Sequence, residues 1–282
     1  MLAYSSFVKK IFLCSLVMSY TLHCSSLWQQ FTLRPQSEVC KKNRLFHKGA
    51  RWLGEIGIDA LRLHRYLFTT TSVKILTGMA PFYLTARMFD EDFQCRFYDN
   101  QQHKNVNQLP KACHEIAKNG VAVPMVFLSG LALYGWNEDL RMTGRIFAIG
   151  LPFVHSGKDI IKNLRTKSCL RPWHEEFCNK QRSSGGFPSG HMANVVYMAS
   201  LFGMRHGLKW GVPLGLFAGF VFADFVNCNR HYLSQLIAGA GLGLLYGFAA
   251  NTLIDKKLSE RWSVQLCNNH LGGPSVKLGY RF

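Results

Sequence analysis

An all-α bundle of about six helices with a short β-hairpin-like tail is the fold class this sequence predicts, and three observations predict it. Apolar stretches at helical spacing recur between polar connections, and two of them approach the length of a membrane span. The composition is 48% hydrophobic and 13% aromatic against 17% charged, which suits a chain with a sizeable core. Alternating segments occur in the tail that begins at Arg261-Trp262, where the pattern predicts a short β-hairpin. The mean hydropathy of +0.01 leaves membrane embedding open.

Taken in order, residues 1–26 read as an export signal or short anchor. Lys9 and Lys10 precede an apolar run from Ile11 to Leu22, and small polar residues follow at Ser25 and Ser26. The run is too short to span comfortably. Export brings the later cysteines into an oxidising compartment, where Cys95 with Cys113, or Cys169 with Cys178, are candidate disulfides. The nine cysteines show no Cys-x-x-Cys pair, which argues against a structural zinc site.

Residues 27–118 read as N-terminal helices and a polar loop. Leu53 to Leu63 is amphipathic, Ile75 to Ala86 is a short apolar run, and Arg87 to Lys118 is a polar connection with at most one helical turn. Residues 119–254 form the predicted helical core. Its first helix, Asn119 to Asn137, carries no charge, and Ile146 to Gly157 follows. A basic loop over 158–187 then interrupts the helices with Lys158, Lys162, Arg165, Lys167, Arg171, Lys180 and Arg182. Helices resume at Met192 to Met204, Trp210 to Ala223 and His231 to Ile254, the last rich in Gly and Ala and so suited to close packing. Residues 255–282 form the tail, with a turn at Gly272-Gly273-Pro274.

The 33 Lys and Arg against 16 Asp and Glu give a formal charge of +17, which favours anionic partners: phosphate esters or an anionic membrane surface. Nucleic acid fits poorly, because the basic residues flank apolar helices and form no aromatic-interleaved groove. No protein partner is predicted.

Three stretches carry the chemistry. Phe187-Pro188-Ser189-Gly190-His191 stands directly before an apolar helix, where backbone N–H groups and the helix dipole favour an anion. Gly190 lets the backbone approach closely, Ser189 offers a hydroxyl, and His191 is placed to protonate a leaving oxygen. Asn229-Arg230-His231-Tyr232-Leu233-Ser234-Gln235 opens the long apolar helix. His231 and Gln235 share a helix face, so the amide is positioned to accept from one ring nitrogen while the other attacks. A helix N-terminus disfavours the imidazolium and keeps that nucleophile neutral. Lys162 through Arg171-Pro172 supplies a point charge and a planar fork for phosphate oxygens. His174-Glu175-Glu176-Phe177-Cys178 is not a metalloprotease helix, since the second histidine is missing.

At these residues the sequence resembles the type 2 phosphatidic acid phosphatase family, whose superfamily includes vanadium haloperoxidases and class A acid phosphatases. The likeness runs from about Lys158 to Ala250. Pro188-Ser189-Gly190-His191 matches the middle motif in full. The resemblance implies that His231 is the nucleophile, forming a phosphohistidine that water hydrolyses, and that His191 is the general acid. It implies phosphate contacts at Lys162, Arg171, Ser189, Gly190 and Arg230, a supporting role for Gln235, and no metal or other cofactor.

Three positions depart from the pattern. Eight residues separate Lys162 from Arg171-Pro172 where the family has six, which puts Leu164 at the strict lysine position. Phe225 stands where the third motif has arginine, and Arg230 replaces it only in part. Gln235 stands where the motif has aspartate, as glutamine does in the glucose-6-phosphatase branch. The implied activity is metal-independent hydrolysis of a phosphate monoester, lipid-linked, at a bacterial cell envelope, in the membrane with the site facing the exported side. The alternatives are a soluble, periplasmic exported acid phosphatase and a catalytically impaired membrane protein that binds phosphorylated lipid.

Overall fold

A computed structural model of the chain describes residues 44–163, 170–174, 185–268 and 274–280. The proposed export segment, Cys169, Cys178, and the basic residues Arg165, Lys167, Lys180 and Arg182 lie outside the described residues. The chain divides into one unit over Met1–Ile58 and a second over Asp59–Phe282. The described part of the first is helical from Arg44 onward.

The described helices are α1 (Arg44–Tyr66), α2 (Thr70–Met88), α3 (Asp90–Gln94), α4 (Lys111–Asn119), α5 (Ala122–Tyr134), α6 (Glu138–Lys162), α7 (Gly190–His206), α8 (Leu208–Asn227) and α9 (Leu233–Arg261). A two-residue ladder pairs β1 (Tyr98–Asp99) with β2 (Lys104–Asn105). The tail forms the expected antiparallel hairpin, β3 (Trp262–Asn268) with β4 (Pro274–Tyr280), in register from Trp262↔Tyr280 to Asn268↔Pro274. The fold is all-α, as the periodicity predicts.

Helix boundaries follow local chemistry. The Thr69 hydroxyl caps α2 by accepting from the Ser72 amide at 3.3 Å, and the Asn137 side chain caps α6 by accepting from the Leu140 amide at 2.7 Å. Glu138 and Asp139 then sit in the first turn of α6, where acidic residues suit the dipole. Gly207, at φ 74°, ends α7 and begins α8, a conformation that costs glycine little.

Helix α9 packs along α7, α2 and α6, and α7 also packs on α8. Gly239, Gly243 and Gly247 line one stripe of α9 against α7. A Cβ at these positions would run into the Ser189 carbonyl, the Ala193 carbonyl and the Ser200 hydroxyl respectively. The predicted close packing therefore has a specific surface. The core around it includes Ile146, Phe147, Val195, Tyr197, Leu201, Phe202, Leu236 and Leu253. At the end away from Ser189, Arg205 of α7 joins Asp139 of α6 at 2.7 Å and Asp255 of α9 at 2.5 Å. Lys257 of α9 meets the buried Asp59 at 2.6 Å.

Three helical stretches are long and apolar enough to cross a membrane: Lys111–Tyr134, Leu208–Asn227 and Leu233–Glu260. They carry exposed apolar side chains, among them Val126 and Leu133 on α5 and Leu208 and Leu216 on α8. Apolar faces of this kind need lipid, and the protein is placed in a membrane.

Three expectations need correction. The connection from Arg87 to Lys118 is not a loop: it contains α3, the β1–β2 ladder and α4. The basic loop does not begin at Lys158, because α6 continues to Lys162. Cys95 and Cys113 carry free thiols, so that pairing is not formed.

Candidate functional site

Ser189 is the N-cap of α7, and the cis peptide Phe187-Pro188 leads into it. The Ser189 amide donates to the Gln235 carbonyl at 3.1 Å, which joins the start of α7 to the first turns of α9. Its hydroxyl is fully buried and has no hydrogen-bond partner among the described residues. A buried hydroxyl left in this state is costly unless a ligand completes it.

His231 lies in the turn between α8 and α9 and is 5% exposed. Asn229, with φ 51°, begins that turn, and the amides of Arg230 and His231 both donate to the Phe225 carbonyl at 3.2 Å. His231 Nδ1 lies 3.3 Å from Gln235 Oε1. The same oxygen accepts from the Tyr232 amide at 3.2 Å, and Gln235 Nε2 donates to the Leu170 carbonyl at 2.7 Å. These contacts fix which way the amide faces, so Nδ1 carries the proton and Nε2 keeps its lone pair. Gly186 is required beside it, since a Cβ there would lie 2.5 Å from Gln235 Oε1.

His191 is the second residue of α7, and the backbone of Lys118 on α4 stands near enough to favour its protonated form. The Phe225 ring packs against both histidines, with its centroid 5.1 Å from His191 and 5.7 Å from His231. The position that the family pattern gives to arginine thus holds an apolar ring in contact with both histidines.

The cations come from two directions. Arg171 donates through Nη1 to the Arg230 carbonyl at 3.2 Å, so Arg230 holds Arg171 by its backbone. Lys158 and Lys162 stand four residues apart at the end of α6. Lys158 lies against the start of α7, for a Cβ on Gly190 would come 2.6 Å from its Cδ. Its ammonium is 3.4 Å from His155 Nδ1, and His155 Nε2 is 3.3 Å from Asn194 of α7.

Burial and these cations set the protonation states. Burial, then Arg171 and Lys162, hold His231 well below the ordinary value of 6.5 despite the opposing Gln235 hydrogen bond. Burial also lowers His191; Lys158, Lys162 and Arg171 add to the effect and the Lys118 carbonyl opposes it. Burial, then Arg230, lowers Arg171 from its usual range. Both histidines are neutral at neutral pH, and a bound phosphate dianion reverses the charge around His191.

The described residues thus bring together Lys162, Arg171, Ser189, Gly190, His191, Arg230, His231 and Gln235 at one end of the helices. Sequence reasoning missed four contributors. Lys158 falls in the stretch whose composition reads as a loop, although its spacing from Lys162 is a helical signal. The Lys118 carbonyl has no sequence signature. Asp90 and Glu91 of α3 brace the turn: Asp90 accepts from the Ser234 amide at 2.9 Å and hydroxyl at 2.6 Å, and Glu91 accepts from the Tyr232 hydroxyl at 2.8 Å.

The model of the PAP2 superfamily matches residues 144–259, which hold every one of these eight site residues. This region belongs to the PAP2 superfamily. The PAP2 region begins within α6 and ends within α9, so α2, α3, α4 and α5 lie outside it. Over 70 residues, 23% of this chain, the sequence is 33% identical to a lipid A 1-phosphatase from Porphyromonas gingivalis. That match spans 15% of the relative's own length. The chain is also similar to the crystal structure of a transmembrane PAP2-type phosphatidylglycerolphosphate phosphatase from Bacillus subtilis. There the identity is 17% and the TM-score 0.29, over 62% of this chain and 96% of that one.

Proposed function

We propose that this protein is a membrane phosphatase that removes phosphate from a lipid-linked monoester through a phosphohistidine on His231. The observation that carries the reading is the buried, neutral His231, with Nδ1 held by Gln235 and Nε2 left to attack, beside Arg171, Lys162 and a Ser189 hydroxyl that has no partner among the described residues.

The roles follow from chemistry. His231 Nε2 attacks phosphorus in line, forming a P–N bond as the P–O bond to the alcohol breaks. His191, protonated once the phosphate dianion is bound, donates its proton to the departing oxygen. Arg171, Lys162 and Lys158, with the Ser189 hydroxyl and the start of α7 at Gly190, hold the equatorial oxygens as their charge grows. His191, now neutral, takes a proton from the water that attacks the phosphohistidine, so inorganic phosphate leaves and both histidines are restored.

A lipid-linked substrate is supported by an apolar cavity of about 360 Å³ between α2 and α9. Phe187 and Pro188, directly before Ser189, form part of its wall, with Leu76, Met79, Ile237 and Leu242. A hydrocarbon chain lying there would bring its phosphate toward Ser189. The three apolar helices favour the membrane form over a soluble exported one. A bacterial envelope location with the site on the exported side, the export or anchor role of residues 1–26, and the 119–254 segment as catalytic core belong to the same proposal.

Phe225 favours a second reading, in which phosphorylated lipid binds without turnover. Phosphate release by purified protein, from lipid and soluble monoesters in detergent with chelator present, distinguishes the two. The phosphatase reading predicts release from lipid substrates, lost in His191→Ala and His231→Ala. Lipid phosphate bound with no release would leave the binding reading.

A further inference from the structure

Asp224 is a carboxylate with no solvent exposure, near the end of the apolar segment Leu208–Asn227. An ionisable group in such a segment is costly and needs a partner. Its Oδ2 lies 2.9 Å from His114 Nδ1 of α4 and 3.9 Å from Cys228 Sγ, one helical turn further along. Its Oδ1 is buried and accepts no hydrogen bond among the described residues. Cys228 is 8% exposed and the His114 side chain 19%. One nitrogen, one oxygen and one sulfur donor therefore converge, all within 4.8 Å of one another.

We propose that His114, Asp224 and Cys228 hold a single divalent transition-metal ion, zinc by donor chemistry, that fastens α4 to α8. Tetrahedral zinc bonds of about 2.0 to 2.3 Å place neighbouring donors roughly 3.3 to 3.6 Å apart. The distances of 2.9 and 3.9 Å bracket that range, so small side-chain movements complete the site. Calcium and magnesium prefer shells of oxygen, whereas a borderline-soft ion accepts this mixture. Three protein ligands leave a fourth position for water. The second oxygen of Asp224 gives the carboxylate a further way to bind, and the ion's charge compensates a carboxylate that is otherwise expensive to bury. The separation of 110 residues between His114 and Asp224 hides the site from any spacing rule.

The ion stands beside the phosphate site rather than in it. The Phe225 ring lies 6.1 Å from His114, as well as against His191 and His231. Helix α4 also carries Lys118, whose backbone acts on His191. Metal at this position therefore steadies the general acid without touching the substrate, and the inference stands apart from the reaction proposed above.

The test uses full-length, tag-free protein in detergent, stripped with chelator, dialysed and titrated with Co²⁺ and with Zn²⁺. The expected result is one equivalent of Co²⁺ with a thiolate-to-cobalt charge-transfer band, displaced by Zn²⁺. Cys228→Ser abolishes the band, and Asp224→Asn and His114→Gln weaken binding at least tenfold. Cys113→Ser, a thiol next to His114 but outside the cluster, leaves both unchanged. The wild-type titration needs no variant to fold. Absence of a stoichiometric cobalt–thiolate band, or a band that survives Cys228→Ser, overturns the proposal whatever the phosphatase assay gives.

Discussion

Replacing Gln235 with glutamate tests how the site keeps His231 nucleophilic. The wild-type amide is neutral, and burial with Arg171 and Lys162 holds His231 well below 6.5. Attack requires the unprotonated ring, so activity persists at mildly acidic pH as far as this residue controls it. Gln235→Glu sets a carboxylate at the position of an oxygen now 3.3 Å from Nδ1. An opposite charge at that range raises a pKa by about 1 to 3 units, or roughly 1.4 to 4 kcal/mol. Arg171 and Lys162 keep the new carboxylate ionised. The acidic limb of kcat/KM against pH therefore moves to higher pH by about 1 to 3 units. Gln235→Leu supplies the control: it removes the acceptor without adding charge, so the limb stays or moves lower while the rate falls about 10²-fold through a misplaced ring. A limb that does not move in Gln235→Glu, or moves to lower pH, refutes the assignment of Gln235 to the His231 ring.

Other outcomes follow from the same geometry. Because His191 and His231 are depressed in the folded protein, the unfolded chain binds more protons below about pH 6.5, and stability falls as pH drops through that value; thermal unfolding in detergent should show a lower Tm there, partly restored by inorganic phosphate. Asp90→Ala removes the acceptor of two Ser234 bonds at a site 1% exposed and should cost about 2 to 4 kcal/mol in denaturant titration, with little from the half-exposed Arg87. Gly190→Ala puts a methyl group against Lys158 and should raise KM, while Lys158→Ala should weaken inhibition by phosphate roughly tenfold or more; an unchanged inhibition constant in Lys158→Ala removes that lysine from the site.

The parts of the site legible in the sequence are those set by local backbone chemistry. Pro188-Ser189-Gly190-His191 reads as a helix start because a cap, a glycine and an apolar run occur together. His231 and Gln235 pair because four residues make one turn. The Gly/Ala stripe of α9 was legible for the same reason, although its contacts with Ser189 and Ala193 were not. The illegible parts are held from a distance. Helix α3 has five residues and is mostly acidic, so no periodicity marks it, and it is stabilised by bonds to Ser234 and Tyr232 more than 130 residues away. Helix α6 outlasts its apolar stretch because its last turns face the site with Lys158 and Lys162, which in sequence look like the start of a basic loop. The consequence of Phe225 needed coordinates as well: sequence reports a lost arginine, and structure adds an aromatic ring packed against two histidines.

The central claim is that His231 carries the phosphoryl group during turnover. The most direct measurement mixes purified protein with lipid phosphate, quenches in alkali, where a phosphohistidine survives, and maps the modified residue by mass spectrometry. One phosphoryl group is expected on His231 in the wild type and none in His231→Ala. Turnover with no phosphorylated His231, or with phosphate on another residue, contradicts it.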